Sequence, residues 1–177
     1  GSPTLPRPHV MVRDTDESRQ GLVAPLEYDY LINATGPKLN FGATPGLGPD
    51  GHTWSVCTAG HAAETATAFE DVLVRLHAGE RQTLLIGMGH GTCTCQGAAF
   101  EYTFNVEHEL VKEGVRDRAE VIYITNESQL GDFGMDGMNF GHKGDVIPSQ
   151  MFTEPQFQER GVKAIMSGTA MLAPGGS

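Results

Sequence analysis

Apolar residues along this chain keep changing period, and the changes mark out its elements. Ala62, Ala66, Phe69, Leu73 and Leu76 recur near helical spacing behind Thr58, a residue type suited to an N-cap, so the pattern predicts a helix from there to about Ala78. Thr83 to Gly87 (TLLIG) is a short continuous apolar run and predicts a strand. From Gly97 two interleaved sets, Phe100, Phe104, Val111 and Ala99, Thr103, Val106, Leu110, form one broad helical face closed by Gly114. AEVIYIT (119–125) and GVKAIM (161–166) supply two further strands. Upstream, Tyr28 to Ile32 reads as a buried strand with a tight exit through Ala34, Thr35 and Gly36, stopped by Pro37, and Val10 to Val12 reads as a strand-like edge. Strand, helix, strand, helix, strand is the order of an α/β fold, here a Rossmann-like parallel sheet with flanking helices and right-handed crossovers.

The segments between these elements are read from their breakers. Glycine and proline crowd Asn40 to His52, which predicts a connector, and Leu130 to Asp145 is rich in glycine and methionine and predicts a long, mobile loop. IPSQMFTEPQFQER (147–160) predicts an interrupted helix, because Pro155 sits inside it. No internal repeat is visible. The resulting organisation is an N-terminal strand and connector region over residues 1–53, followed by a Rossmann-like domain over residues 54–177.

Charge removes two classes of partner. Twelve Lys+Arg against 22 Asp+Glu give a formal net charge of -10, which repels a phosphate backbone and an anionic bilayer, so no nucleic-acid partner is expected. No apolar run reaches the length of a membrane span, and any membrane association is expected only through segments absent from these 177 residues. Cys57, Cys93 and Cys95 are too few, and odd in number, for a disulfide framework; free or reactive thiols are expected.

Candidate chemistry gathers where the predicted strand at 83–87 runs into the predicted helix after Gly97. Strand, glycine-rich turn and helix are the parts of a dinucleotide site, and Gly87 and Gly89 fill its first two glycine positions. Thr92 stands at the third, where glycine lets helix and strand approach. The strand-end acid, Glu127, lies about twice as far along as the roughly 20 residues a ribose partner requires. Nicotinamide binding is therefore expected to be weak or lost. A thiol beside a helix N-terminus gains from the positive end of the dipole and from free amides, and Cys95 is placed for that, whereas Cys93 reads as a compact buried residue. Cys57, four residues before His61, would share a helical face with it as a thiol beside a base. A metal site built from His90, Cys93, Cys95 and His61 stays open as an alternative, although C-x-C is not the usual structural zinc spacing, and no metal ligand set is assigned.

Taken in order, YDYLINATGPKL, WSVCTAGHA, GTCTCQGAAFEYTF, VIYITNESQLGDFGMDGM and ERGVKAI resemble sulfide:quinone oxidoreductase, a branch of the FAD-dependent pyridine nucleotide-disulfide oxidoreductase superfamily. The resemblance runs from about Leu26 to Ile165, and it is the joint order of the motifs that carries it. It implies two Rossmann-type domains, of which this chain is similar to the second, with residues 1–53 joining it to a separate FAD domain. It implies an enzyme that oxidises sulfide and passes electrons through FAD to quinone. Cys95 resembles a redox cysteine that works with another beyond this sequence, Cys57 a further family cysteine and His61 a histidine implicated in activity. Ala34, Thr35, Gly36 and Pro37 resemble a flavin-proximal segment. The chain departs from the family in lacking the first-domain glycine fingerprint, a third redox cysteine after Cys95 and a membrane-binding segment, and it carries Asp132 where relatives often have histidine. FAD is accordingly expected in the full-length protein and not tightly on this chain. Readings left open are an NADH-dependent flavoprotein, the flavin subunit of a flavocytochrome c sulfide dehydrogenase with a haem partner, and a non-catalytic Cys/His metal or interaction module.

Overall fold

The structure is a computed structural model, and it describes residues 7–36, 38–88, 96–133 and 135–166. Residue contacts divide the chain into two compact units, residues 1–38 and 39–177.

The first unit is a hairpin. β1 (His9–Arg13) pairs antiparallel with β2 (Val23–Glu27), in a register that sets Met11 opposite Pro25. Proline removes a ladder donor, and a two-stranded ribbon, in which both strands are edges, tolerates that loss. Pro25 is also why β2 was not foreseen. A 3-10 turn at Glu17–Arg19 rounds the tip, and the Asp16 carboxylate accepts the Ser18 amide at 2.9 Å as its cap. The Ser18 hydroxyl and amide together hold the Asp16 carboxyl below its ordinary range. None of the described residues in this unit is buried. The expected strand at Tyr28–Ile32 is not formed: after Tyr28 N–H reaches Pro8 O at 3.1 Å the segment has no ladder partner, and Tyr30 and Ile32 are 93% and 88% exposed. An apolar run becomes a strand only when a neighbouring edge takes its backbone groups.

The second unit carries the α/β layers. α1 (Ala59–His77) starts behind Thr58, whose hydroxyl accepts the His61 amide at 3.3 Å, and ends at Ala78, as the spacing predicted. Its inward stripe is Thr65, Phe69, Val72, Leu73 and Leu76; Ala66, expected on that stripe, is exposed and Thr65 takes its place. β3 (Gln82–Gly87), β4 (Ala119–Ile124) and β7 (Lys163–Ile165) form a parallel sheet in the order β3-β4-β7. α2 (Gln96–Lys112) packs on β3 and β4 through Thr103, Val106 and Leu110, while Val111 points outward at 54% exposure. α3 (Gln150–Glu159) runs continuously through Pro155, not interrupted as expected, and buries Thr153 and Phe157.

Leu130 to Asp145 is not the structureless loop the composition predicted. β5 (Asn139–His142) and β6 (Asp145–Pro148) form an antiparallel hairpin within and just beyond it. Lys143 and Gly144 both take positive φ, 51° and 95°, the requirement of a tight two-residue hairpin turn. Ser149 ties the preceding stretch to α3: its hydroxyl donates to Gly131 O at 2.5 Å and accepts the Met138 amide at 2.9 Å.

The core lies between sheet and helices, with Leu76, Leu110, Val115, Val121 and Tyr123 at its centre. An aromatic group fills one side. Phe100 meets Phe104 at 4.6 Å between centroids and Phe157 at 5.1 Å, and Phe157 meets Tyr123 at 5.3 Å, mostly edge to face, the geometry the ring quadrupoles favour.

Candidate functional site

The predicted site residues fall into three places. Ala34, Thr35 and Gly36 lie in the first unit, Cys57 and His61 at the start of α1 in the second, and Cys95 with Pro37 outside the described residues. Gly89, His90, Thr92 and Cys93 are also outside them, so of the glycine turn only Gly87 and Met88 are described.

At the start of α1, the chain from Ser55 to Thr65 is folded by its own hydroxyls. Ser55 is buried and its Oγ accepts the Cys57 amide at 3.3 Å. Thr65, one turn beyond His61 and also buried, places Oγ1 2.7 Å from Ser55 O and 2.8 Å from His61 O. Cys57 is a free, exposed thiol in the turn just before the N-cap. It therefore stands in front of the helix and not on its face, because the hydroxyl of Thr58 ends the helix between Cys57 and His61. The amides of the first turn have no intrahelical backbone partner and point toward that side.

His61 is half-buried with its ring 5.9 Å from that of Phe41, which belongs to the 3-10 turn Phe41–Ala43 of the connector. Its Nδ1 is shielded from solvent and has no hydrogen-bond partner among the described residues. Ser55, Thr65 and Phe41 were not singled out by sequence reasoning. The one available signal was the spacing of Thr65, four residues after His61 on the buried stripe.

In the first unit the small-residue exit is an Asx turn. Asn33 Oδ1 accepts the Thr35 amide at 3.2 Å and its hydroxyl at 2.9 Å, and Gly36 follows at φ +80°. Nothing lies within 4 Å of where a Gly36 Cβ would stand, so a flat group could come close to this exposed turn.

The described residues contain no group of three or more His, Cys, Asp or Glu arranged to hold a metal ion. Nor does any helix among them have the length and apolarity to cross a membrane.

No family model matches the chain. The sulfide-quinone reductase of Aquifex aeolicus (strain VF5) is 36% identical over 137 residues, which is 77% of this chain and 28% of that protein. The X-ray structure of the sulfide:quinone oxidoreductase from Aquifex aeolicus superposes with a TM-score of 0.59 at 33% identity, covering 81% of this chain and 30% of that one. The chain thus spans little more than a quarter of the length of the relatives it matches. A parallel sheet flanked by helices, matched at that level, puts it in the α/β class of the two-dinucleotide-binding-domain flavoproteins. Within that class it is a sulfide:quinone oxidoreductase-like chain, homologous to one part of that protein.

Proposed function

We propose that this chain is the second, nicotinamide-type domain of a flavin-dependent enzyme that oxidises sulfide and delivers electrons to quinone, with residues 1–53 leading to a separate FAD-binding domain. The observation that carries the reading is the 36% identity to sulfide-quinone reductase across 137 residues, a stretch long enough to hold both the α1 start and the sheet. The exposed Cys57 thiol before α1 and the shielded Nδ1 of His61 support a site of thiol chemistry there.

In this reading Cys95 forms a disulfide with a cysteine outside these residues. Sulfide attacks one sulfur of that disulfide, leaving a persulfide on one cysteine and a thiolate on the other. Cys57 lies beside the same chemistry, and His61 holds or accepts a proton at Nδ1. FAD, when bound, supplies the two-electron acceptor that links the thiols to quinone. The segment Ala34 to Pro37 would flank the flavin, a role that the small side chains of Ala34, Thr35 and Gly36 and the open space at Gly36 suit. Binding of NADH plays no part.

The test is made on the full-length protein. Sulfide-dependent reduction of a soluble quinone analogue is expected, Cys95→Ser is expected to abolish it, and the flavin spectrum of that variant is expected to be retained. Substantial activity in Cys95→Ser would remove that residue from the mechanism.

A further inference from the structure

We propose that Thr65 is a positioning residue that holds Cys57 and His61 in one arrangement at the start of α1; the proposal rests on the reading of both as site residues given above. A threonine inside a helix commonly bonds only the carbonyl four residues back. Thr65 does this toward His61 O at 2.8 Å, and it also lies 2.7 Å from Ser55 O, which is outside the helix and ten residues earlier. A hydroxyl carries one hydrogen, so a single O–H is shared between two carbonyls, one on the segment that bears Cys57 and one on the residue that bears the imidazole. Ser55 extends the clasp, since its Oγ accepts the Cys57 amide at 3.3 Å. Both Thr65 and Ser55 are about nine-tenths buried, so water is a poor substitute for either bond. Cys57 itself is exposed and stands in a turn that belongs to no helix or strand. Without the clasp, the local bonds of Thr58, its hydroxyl to the His61 amide at 3.3 Å and its carbonyl to the Ala62 amide at 2.8 Å, would be left to hold the thiol relative to His61. Thr65 touches no reacting group and acts through the two residues it holds in place.

The experiment is a double-mutant cycle on this chain, read as the rate of alkylation of Cys57 by limiting iodoacetamide, peptide by peptide in a mass spectrometer. His61→Gln in the otherwise unchanged chain is expected to slow alkylation roughly threefold or more, because in this proposal the imidazole serves the thiol as its base. In a Thr65→Val background, which keeps shape but loses the hydroxyl, the same replacement is expected to change the rate by less than about 1.5-fold, and Thr65→Ser is expected to restore the larger effect. Ser55→Ala, which removes the bond to Cys57 without touching α1, is expected to weaken the coupling too and takes the place of Thr65→Val should that variant lose its helix content. An undiminished effect of His61→Gln in a folded Thr65→Val or Ser55→Ala chain would overturn the positioning role. No effect of His61→Gln even with Thr65 in place would overturn the pairing of Cys57 with His61 itself, and the positioning role with it.

Discussion

Arg116 donates from its guanidinium to the carbonyl oxygen of Arg160 at 2.8 Å, closing a link across 44 residues. The same group donates to Gly161 O at 2.8 Å and to Ala119 O at 2.6 Å, and its Nε stands 3.6 Å from the carboxylate of the buried Glu107 on α2. Arg160, 4.0 Å from the other Glu107 oxygen, lays its guanidinium over the Phe104 ring at 4.6 Å. One cation thus fastens the end of α2, the entry to β4 and the exit of α3.

Arg116→Ala is expected to cost about 3 kcal/mol, because it removes three charge-assisted bonds and leaves Glu107 buried with only the more distant Arg160 opposite it. Urea unfolding followed by far-UV circular dichroism measures this. A loss under about 1 kcal/mol would mean that water replaces the guanidinium freely.

The hairpin region gives a second expectation. With Ser149 in place, the amides of Met138 and Ser149, which bond Ser149 Oγ and Met138 O, are expected to exchange slowly, while the Lys143–Gly144 tip exchanges fast. In Ser149→Ala the Met138 amide is expected to lose most of its protection. Hydrogen exchange resolved to single residues decides it, and equal rates for Met138 and Lys143 in the unchanged chain would contradict it.

What the sequence disclosed and what it hid follow one physical line. Elements whose partners are close in sequence or whose apolar face is unbroken were legible: α1 from its cap and stripe, β4 from AEVIYIT, α2 from its broad face closed by Gly114 at φ +68°. Tyr28–Ile32 misled because an apolar run states a preference for burial and nothing about which edge will accept its backbone. The β5–β6 hairpin was hidden in the opposite way, since glycine-rich composition signals turns and the information lay in the two positive-φ residues between short strands. At the candidate site the reactive residue types, Cys57 and His61, could be read directly. The clasp of Ser55 and Thr65 could not, since serine and threonine are common in every setting and only the fold brings a carbonyl ten residues away onto Thr65 Oγ1.

Acid sensitivity is expected at the outer face of the sheet. Lys163 on β7 pairs with Glu120 on β4, and this hydrogen bond, with the lysine charge and the Thr83 hydroxyl adding to it, holds the Glu120 carboxyl below its ordinary range. A carboxylate whose pKa is lowered by folding contributes stability above its unfolded value of roughly 4.3 and loses it as pH falls through the folded value. The stability advantage of the unchanged chain over Glu120→Gln is therefore expected to be constant near neutral pH and to shrink below about pH 4.5. It should also fall with added salt, since the pair is exposed. A difference that grew on acidification would reverse the sign of the argument.

Gly87 joins the fold to the chemistry, because it ends β3 and opens the glycine turn. It pairs with Ile124 at the matching end of β4, and a Cβ added there would run into the Ile124 carbonyl oxygen and press on its Cγ2 methyl. The demand is for closeness between two parallel strands, and the carbonyl it meets belongs to the backbone of the paired strand, so it cannot swing away. Gly87→Ala is accordingly expected to cost about 2 kcal/mol or more by forcing β3 and β4 apart at their C-terminal ends. Gly97, by contrast, has nothing within 4 Å of a Cβ position, so Gly97→Ala is expected to be neutral or slightly stabilising in the first turn of α2. Paired urea titrations of the two variants measure the contrast. If Gly87→Ala were as stable as Gly97→Ala, the first glycine of the turn would be a requirement of what binds or reacts there, and not of the sheet that carries it.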